Sequence, residues 1–568
     1  LVYNTGGTIT AGAEWSANST SGSGVPSNVL VGNGNNTTLS FGTSSQFRHA
    51  NRNVTVSPSS GLTLSANSGG DLQLRGDFTQ NGTFTHNNRL VTFNGTSAQG
   101  ISGSLNTAGA SNNFAYLAIS NSSSGVTINS DVLVSQTTGD VLQLLNSGPL
   151  NIASSQTLTL AGAGGNIRVN GGSRSINFNA SSSIMNITGS KTVASTSSGL
   201  LNFTSSAANG NLRLSAAVNF GASLTTIGSN TYLQINAAGS VATNAPTYGA
   251  GSTLVYNAGG TVTVGTEWTI NSTTAVGVPQ NVLIGNGVNT TLSFGAAAQF
   301  RHANDGVTVS ASSGLTLSSA AGGNLQLRGD FTNSGTFTHN NRDVTFNGTS
   351  AQQEITGTSL FYNLILNNSN GLLLNNSITA SNVLTLTAGS ITLGSNNITL
   401  SNTATGAITG TFSASRMIIT NGTGQLIRAI TTGTNYTFPI GETTGTTEYS
   451  PALFNFSANG TARNIGVRVI DADHPQLNTS PTQTDYVSRY WLVSNSAAST
   501  YTYTSSFTFV AADLNGSQSN LRANMWNGSA WTHVIGSSAA SNTLSITTAA
   551  TQASSASWRN SRIYGTRK

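Results

Sequence analysis

The chain has no cysteine, and only 7% of its 568 residues are charged. The first absence excludes disulfides and thiolate-held metal. The second sets the chain apart from an ordinary globular domain, in which roughly a quarter of residues carry charge. Lysine is almost missing: Arg supplies the basic residues apart from Lys191 and Lys568. The formal net charge of +5 is spread thinly, with no run of Lys or Arg. A nucleic-acid binder concentrates such residues along a groove to displace counterions, so nucleic acid is not an expected partner. No apolar run approaches the roughly 18–20 residues of a membrane span. Helical spacing is nearly absent between the Gly and Asn punctuation. The chain is long enough to bury a core without disulfide support.

What is present is alternation. Leu62-Thr-Leu, Leu72-Gln-Leu, Val91-Thr-Phe, Leu158-Thr-Leu, Leu384-Thr-Leu and Ile398-Thr-Leu all read apolar-polar-apolar. That is the period of a half-buried strand, and the expected class is all-β. A duplication lies over this pattern. The stretch from Leu1-Val-Tyr-Asn returns at Leu254-Val-Tyr-Asn and stays in step, giving duplicated segments 1–104 and 254–358. Long-period self-similarity marks stacked repeat architectures. Strand-like runs recur about every seven to ten residues, and Asn-rich turns such as Asn81-Gly, Asn94-Gly and Asn375-Asn recur with them. In a solenoid such side chains satisfy one another rung upon rung. The expectation is a right-handed parallel β-helix over residues 1–412, with coils of roughly twenty residues.

From about Ser413 aromatics and prolines rise and longer strands appear, as in Ile465-Gly-Val-Arg-Val-Ile. Trp491, Trp526, Trp531 and Trp558 all fall here. Residues 413–568 are expected to form a β-sandwich that covers the open end of the solenoid. The chain begins inside a strand-like segment, the expected form of a mature product or a fragment.

These residues carry a resemblance. Phe93-Asn-Gly-Thr-Ser-Ala-Gln and its partner at Phe346, with Tyr362-Asn-Leu-Ile-Leu-Asn-Asn-Ser-Asn-Gly-Leu and Tyr436-Thr-Phe-Pro-Ile-Gly, resemble large secreted surface proteins of Bacteroidetes-type bacteria. The resemblance implies a β-solenoid stalk with a following β-sandwich, adhesin-like, at the cell surface or outside the cell. Such proteins commonly end in a secretion-sorting domain, which Ser561-Arg-Ile-Tyr-Gly-Thr-Arg-Lys does not resemble.

Candidate chemistry is sparse. Glycosidic acid/base work needs converging carboxylates, and the few here are scattered: Asp71 becomes Asn324 in the second copy, and Asp343 stands where the first has Leu90. No enzyme activity is expected. His49/His302 and His86/His339 sit among Asn and Arg rather than further ligands, and read as turn histidines. Asp471, Asp473 and His474 form the densest group of possible ligands, and calcium is the cation they would take. Arg75-Gly-Asp77 and Arg328-Gly-Asp330 read as strand-to-turn transitions. Thr8-Ile-Thr10 and Thr261-Val-Thr263 suggest the paired hydroxyls of ice-binding solenoids, but the pairs do not recur at one coil spacing. Trp526, Trp531, Trp15 and Trp268 are the candidates for stacking on glycan or on a second copy. The expected function is an extracellular structural protein: a surface stalk, adhesin or filament subunit that associates head to tail with itself. The alternative is a secreted β-helix protein that binds or cleaves polysaccharide.

Overall fold

Each apolar-polar-apolar triplet becomes a short strand with its apolar pair turned inward. Leu72–Leu74, Val126–Ile128, Leu150–Ile152 and Ile398–Leu400 all bury their first and third residues and leave the middle one half-buried. The computed structural model describes residues 1–207, 209–459, 461–477, 484–496, 501–526, 528–552 and 561–566; Trp558 lies outside them. The chain is 48% strand and 2% helical, and forms a β-solenoid of about 18 turns. It divides into two compact units, Leu1–Leu292 and Ser293–Lys568. The change of composition near Ser413 falls inside the second.

In the first unit three long sheets run along the coils, with every strand parallel to its neighbour. The registers stack like residues in columns. Val126 lies against Leu150, then Ile176, Phe203 and Ile227, and all five are fully buried. A second column runs Leu158, Met185, Leu212, Leu233, Leu254. Burial of each such side chain is worth about 1.5–3 kcal/mol, so the columns are the core of the unit. Coils are about twenty to thirty residues long, and the extra length is carried at the corners.

Corners are closed by side chains that satisfy the next coil. Asn53 donates its N–H to Asn28 Oδ1 (3.2 Å), Asp77 to Asn53 Oδ1 (2.9 Å), and Gly100 to Asp77 Oδ1 (2.7 Å). Gly103 turns a corner at φ +99°, where a Cβ would stand 2.0 Å from the Gln80 carbonyl oxygen, so only glycine fits. Gly357 repeats this in the second copy, at φ +91° and 1.8 Å from Asn333. At another corner the Lys191 ammonium, 2% exposed, donates to the carbonyls of Ala161 (2.6 Å), Gly162, Gly189 (3.3 Å) and Ser190 (3.2 Å).

In the second unit parallel pairing continues through Ile378–Ala388, Ile398–Leu400 and Leu426–Ile430 on one face. On another it runs through Leu372–Leu374, Ile391–Thr392, Ile418–Ile419 and Ile440–Glu442. Pairing then turns antiparallel: Leu426–Ile430 takes Arg463–Ile470, which takes Tyr486–Asn495. A second antiparallel sheet holds Gly433–Phe438, Ala452–Asn459, Tyr501–Thr508, Thr543–Gln552 and Ser537–Ala540. Trp491 of the first sheet meets Phe507 of the second with ring centroids 5.3 Å apart.

Candidate functional site

Strand Tyr486–Asn495 buries Val487, Arg489, Trp491 and Val493 on one face. Arg489 thus occupies a position whose period demands an apolar residue, and a charge there must be paired. Its Nε donates to Asp513 Oδ2 at 2.6 Å, and Nη2 reaches Asp471 (3.3 Å), Glu442 (3.5 Å) and Glu448. Burial pulls the guanidinium down; the bond to Asp513 and the surrounding carboxylates outweigh it and hold Arg489 above its ordinary value. Burial pushes the Glu442 and Asp471 carboxyls up, against the opposing pull of Arg489. One guanidinium serves four carboxylates, so the excess negative charge favours protonation of these two.

Oxygens of Glu442, Glu448 and Asp471 lie within 4.8 Å of one another. They are turned on Arg489, which brings to the centre the positive charge a cation would bring. The cluster ties the last parallel strand, Ile440–Glu442, to Glu448–Tyr449, to the end of Arg463–Ile470, to Tyr486–Asn495 and to the turn Ala511–Asp513. Glu442 is 1% exposed, which suits a tie better than a catalytic cleft.

The structure separates the three residues read as a calcium group. Asp471 joins the Arg489 cluster, Asp473 is exposed, and His474 is buried under aromatic rings. His474 lies 4.7 Å from Trp531, 5.0 Å from Tyr490 and 6.0 Å from Trp526, and its Nδ1 accepts the Gln476 N–H at 3.1 Å. Asp471 directly follows strand Arg463–Ile470 and turns to Arg489, whereas Asp473 and His474 lie in the loop beyond, where no strand period sets their direction. Trp526 and Trp531 face each other across the hairpin Arg522–Trp526/Trp531–His533 at 5.3 Å. Both are half-buried and keep a surface for a partner.

Trp15 and Trp268 do not. Both are fully buried, and Trp15 Nε1 donates to the His49 carbonyl at 2.8 Å. A sugar needs an exposed ring face, so these two belong to the core. Arg48 closes the loop over Trp15 by donating to the carbonyls of Ala11 (2.8 Å) and Gly12 (3.3 Å). His49 and His302 are buried within strands Arg48–Ala50 and Arg301–Ala303 rather than in turns. His86 and His339 do serve turns: each Nδ1 accepts an N–H two residues on, from Asn88 and Asn341, at 3.0 Å. Asp77 and Asp330 spend a carboxylate oxygen on the N–H of Gly100 and Glu354.

The Thr-x-Thr pairs behave otherwise than their spacing implies. Thr8, Thr38, Gly61 and Thr83 stand in register across one sheet, and so do Thr10, Ser40, Thr63 and Thr85. Coils of unequal length bring the pairs into two outward rows, with Ile9, Leu39, Leu62 and Phe84 beneath. Neither row contains a charged residue.

The Arg489 cluster was missed by sequence reading, although a charged residue between Val487 and Trp491 was its signal. No family model, curated protein or solved structure matches the chain.

Proposed function

We propose that the chain is an extracellular structural protein of a bacterium, a surface stalk, adhesin or filament subunit, that works by associating with itself and by touching surface or matrix polysaccharide. The observation that carries this reading is the pair of uncharged rows, Thr8-Thr38-Gly61-Thr83, whose hydroxyls are interrupted at Gly61, and Thr10-Ser40-Thr63-Thr85. Flat, regular rows of donors and acceptors bond a neighbouring row or a neutral glycan without charge repulsion. Stacked coils extend such rows at one strand spacing per coil. We read the two antiparallel sheets as a sandwich that ends the parallel stack, with Arg489 tying it on.

We read the chain as without catalytic activity. Supporting this, all four carboxylates of the Arg489 cluster turn on one buried guanidinium. The alternative, a glycan-binding protein, is favoured by the half-exposed pair Trp526 and Trp531. Sedimentation velocity over a range of concentrations, with and without neutral and acidic polysaccharides, separates the two. Mass that grows with concentration supports the structural reading. A monomer at every concentration that binds one polysaccharide and loses it in Trp531→Ala supports the alternative.

A further inference from the structure

The duplication allows one corner to be compared with and without a loop. In the first copy strand Thr83–Thr85 ends a short sheet, and the chain between Gly103 and Phe114 folds along its free edge. Ser111 bridges Thr85 in antiparallel sense. Asn112 donates its N–H to the Phe84 carbonyl at 2.7 Å, and its Oδ1 accepts the Phe84 N–H at 2.7 Å. Asn113 holds the loop in shape by donating to the carbonyls of Thr107, Gly109 and Ser111. Beneath it Phe84 is fully buried and His86 is 4% exposed.

The second copy lacks this loop: Gly357 is followed at once by strand Leu360–Asn367, and Phe361 takes the place of Phe114 against the core. Thr336 donates its N–H to Ser313, and the Thr338 carbonyl accepts from Leu317, both at 2.9 Å. In a parallel pair the intervening residue then turns its N–H and carbonyl the other way. That residue is Phe337, and among the described residues no strand pairs with the outer edge of Thr336–Thr338. Phe337 and His339 become half-exposed. Leu360, standing where the first copy has Asn113, is 47% exposed. Together with Ser319, Asn340 and Asn341 they enclose a groove of about 440 Å³.

We propose that the Thr336–Thr338 edge binds an uncharged polypeptide turn that runs antiparallel to it, with a small hydroxyl residue opposite Thr338 and, opposite Phe337, an Asn in the left-handed region, as Asn112 is at φ +56°. The chain itself displays this occupant in Ser111 and Asn112. An open strand edge supplies main-chain bonds, and the side pocket selects the residue placed in it. Phe337, whose counterpart Phe84 the first copy keeps covered, and Leu360, which the second copy has in place of Asn113, supply the apolar floor.

The test uses the full chain and a labelled synthetic peptide of residues 107–113, Thr-Ala-Gly-Ala-Ser-Asn-Asn. The expected result is saturable binding with Kd below about 1 mM, with slowed amide exchange over Thr336–Thr338. Substituting Ala for the peptide Asn opposite Phe337 weakens it at least tenfold. Grafting residues 104–113 in place of residues 358–360 abolishes it, because the edge is then filled from within. Should the graft fail to fold, Leu360→Asn, at an exposed position, decides: several-fold weaker binding supports the proposal, and unchanged affinity overturns it. No saturable binding to the unaltered chain, or binding that survives in a folded graft, also overturns it.

Discussion

The Arg489 Nε lies 2.6 Å from Asp513 Oδ2, inside a strand face otherwise lined by Val487, Trp491 and Val493. The pair anchors a group in which Glu442, Glu448 and Asp471 also turn on the same guanidinium. Removing the cation leaves carboxylates buried without a partner, which typically costs about 3–5 kcal/mol. Arg489→Met, which keeps the volume, is expected to lower the unfolding free energy by that amount in urea titrations. A loss below about 1 kcal/mol, the range of a solvated surface pair, would contradict the assignment.

Acid acts on the solenoid through its buried imidazoles. Burial brings His302 down to about 4, and His49, His86 and His339 are lowered by the same cause. Unfolded imidazoles take up protons near pH 6.5. The folded values lie below that, so the stability of the neutral rings is complete above about pH 6.5 and is lost as pH falls toward 4. His302 alone accounts for on the order of 2–3 kcal/mol across that window. Glu442 and Asp471, whose carboxyls are raised, take up protons more readily when folded and offset part of the loss. Unfolding free energies at pH 7 and pH 4.5 should fall steeply in the unaltered chain and less steeply in His302→Gln. Parallel pH profiles would refute this.

Calcium addresses the same ion cluster. Because Arg489 already sits among Glu442, Glu448 and Asp471, millimolar calcium is expected to leave the thermal midpoint within about 1 °C, a change worth no more than about 1 kcal/mol in a protein of this size. A midpoint that rises several degrees with calcium, and does not in Asp471→Asn, would show a cation site instead.

Lys191 is a corner tie made by one side chain. Four carbonyls from two neighbouring turns share its ammonium. Lys191→Met preserves the apolar stem and strands those acceptors, which should cost about 1–3 kcal/mol. Equal stability of the two proteins in urea would mean the corner is held by its backbone alone.

Much of this fold is legible in the sequence, because a solenoid is built from local period and repetition. Val126, Leu150 and Ile176 announce themselves as inward residues of short strands, and stacking follows once coils replace hairpins. Pairing between distant residues is less legible. Three of the four partners of Arg489 stand 24, 41 and 47 residues away, and no local pattern ties them together. Trp15 reads as a candidate for a surface role until Arg48, far along the chain, closes a loop over it. The hydroxyl rows escape a search for constant spacing because the corners absorb unequal lengths while the strands keep their register. Leu360 is the reverse case: its exposure follows from a loop that only comparison with the first copy shows to be missing.

The claim that uncharged rows mediate assembly is tested most directly by electron microscopy of the purified chain beside a variant carrying Thr8→Lys, Thr38→Lys and Thr83→Lys. These positions face outward in register, so the variant keeps its core while placing like charges on neighbouring strands at Thr8 and Thr38, where they repel, and a third two strands on at Thr83. The account predicts regular filaments or lateral arrays from the unaltered chain and dispersed particles from the variant. Single dispersed particles from the unaltered chain, or assemblies that the three lysines leave unchanged, would contradict it.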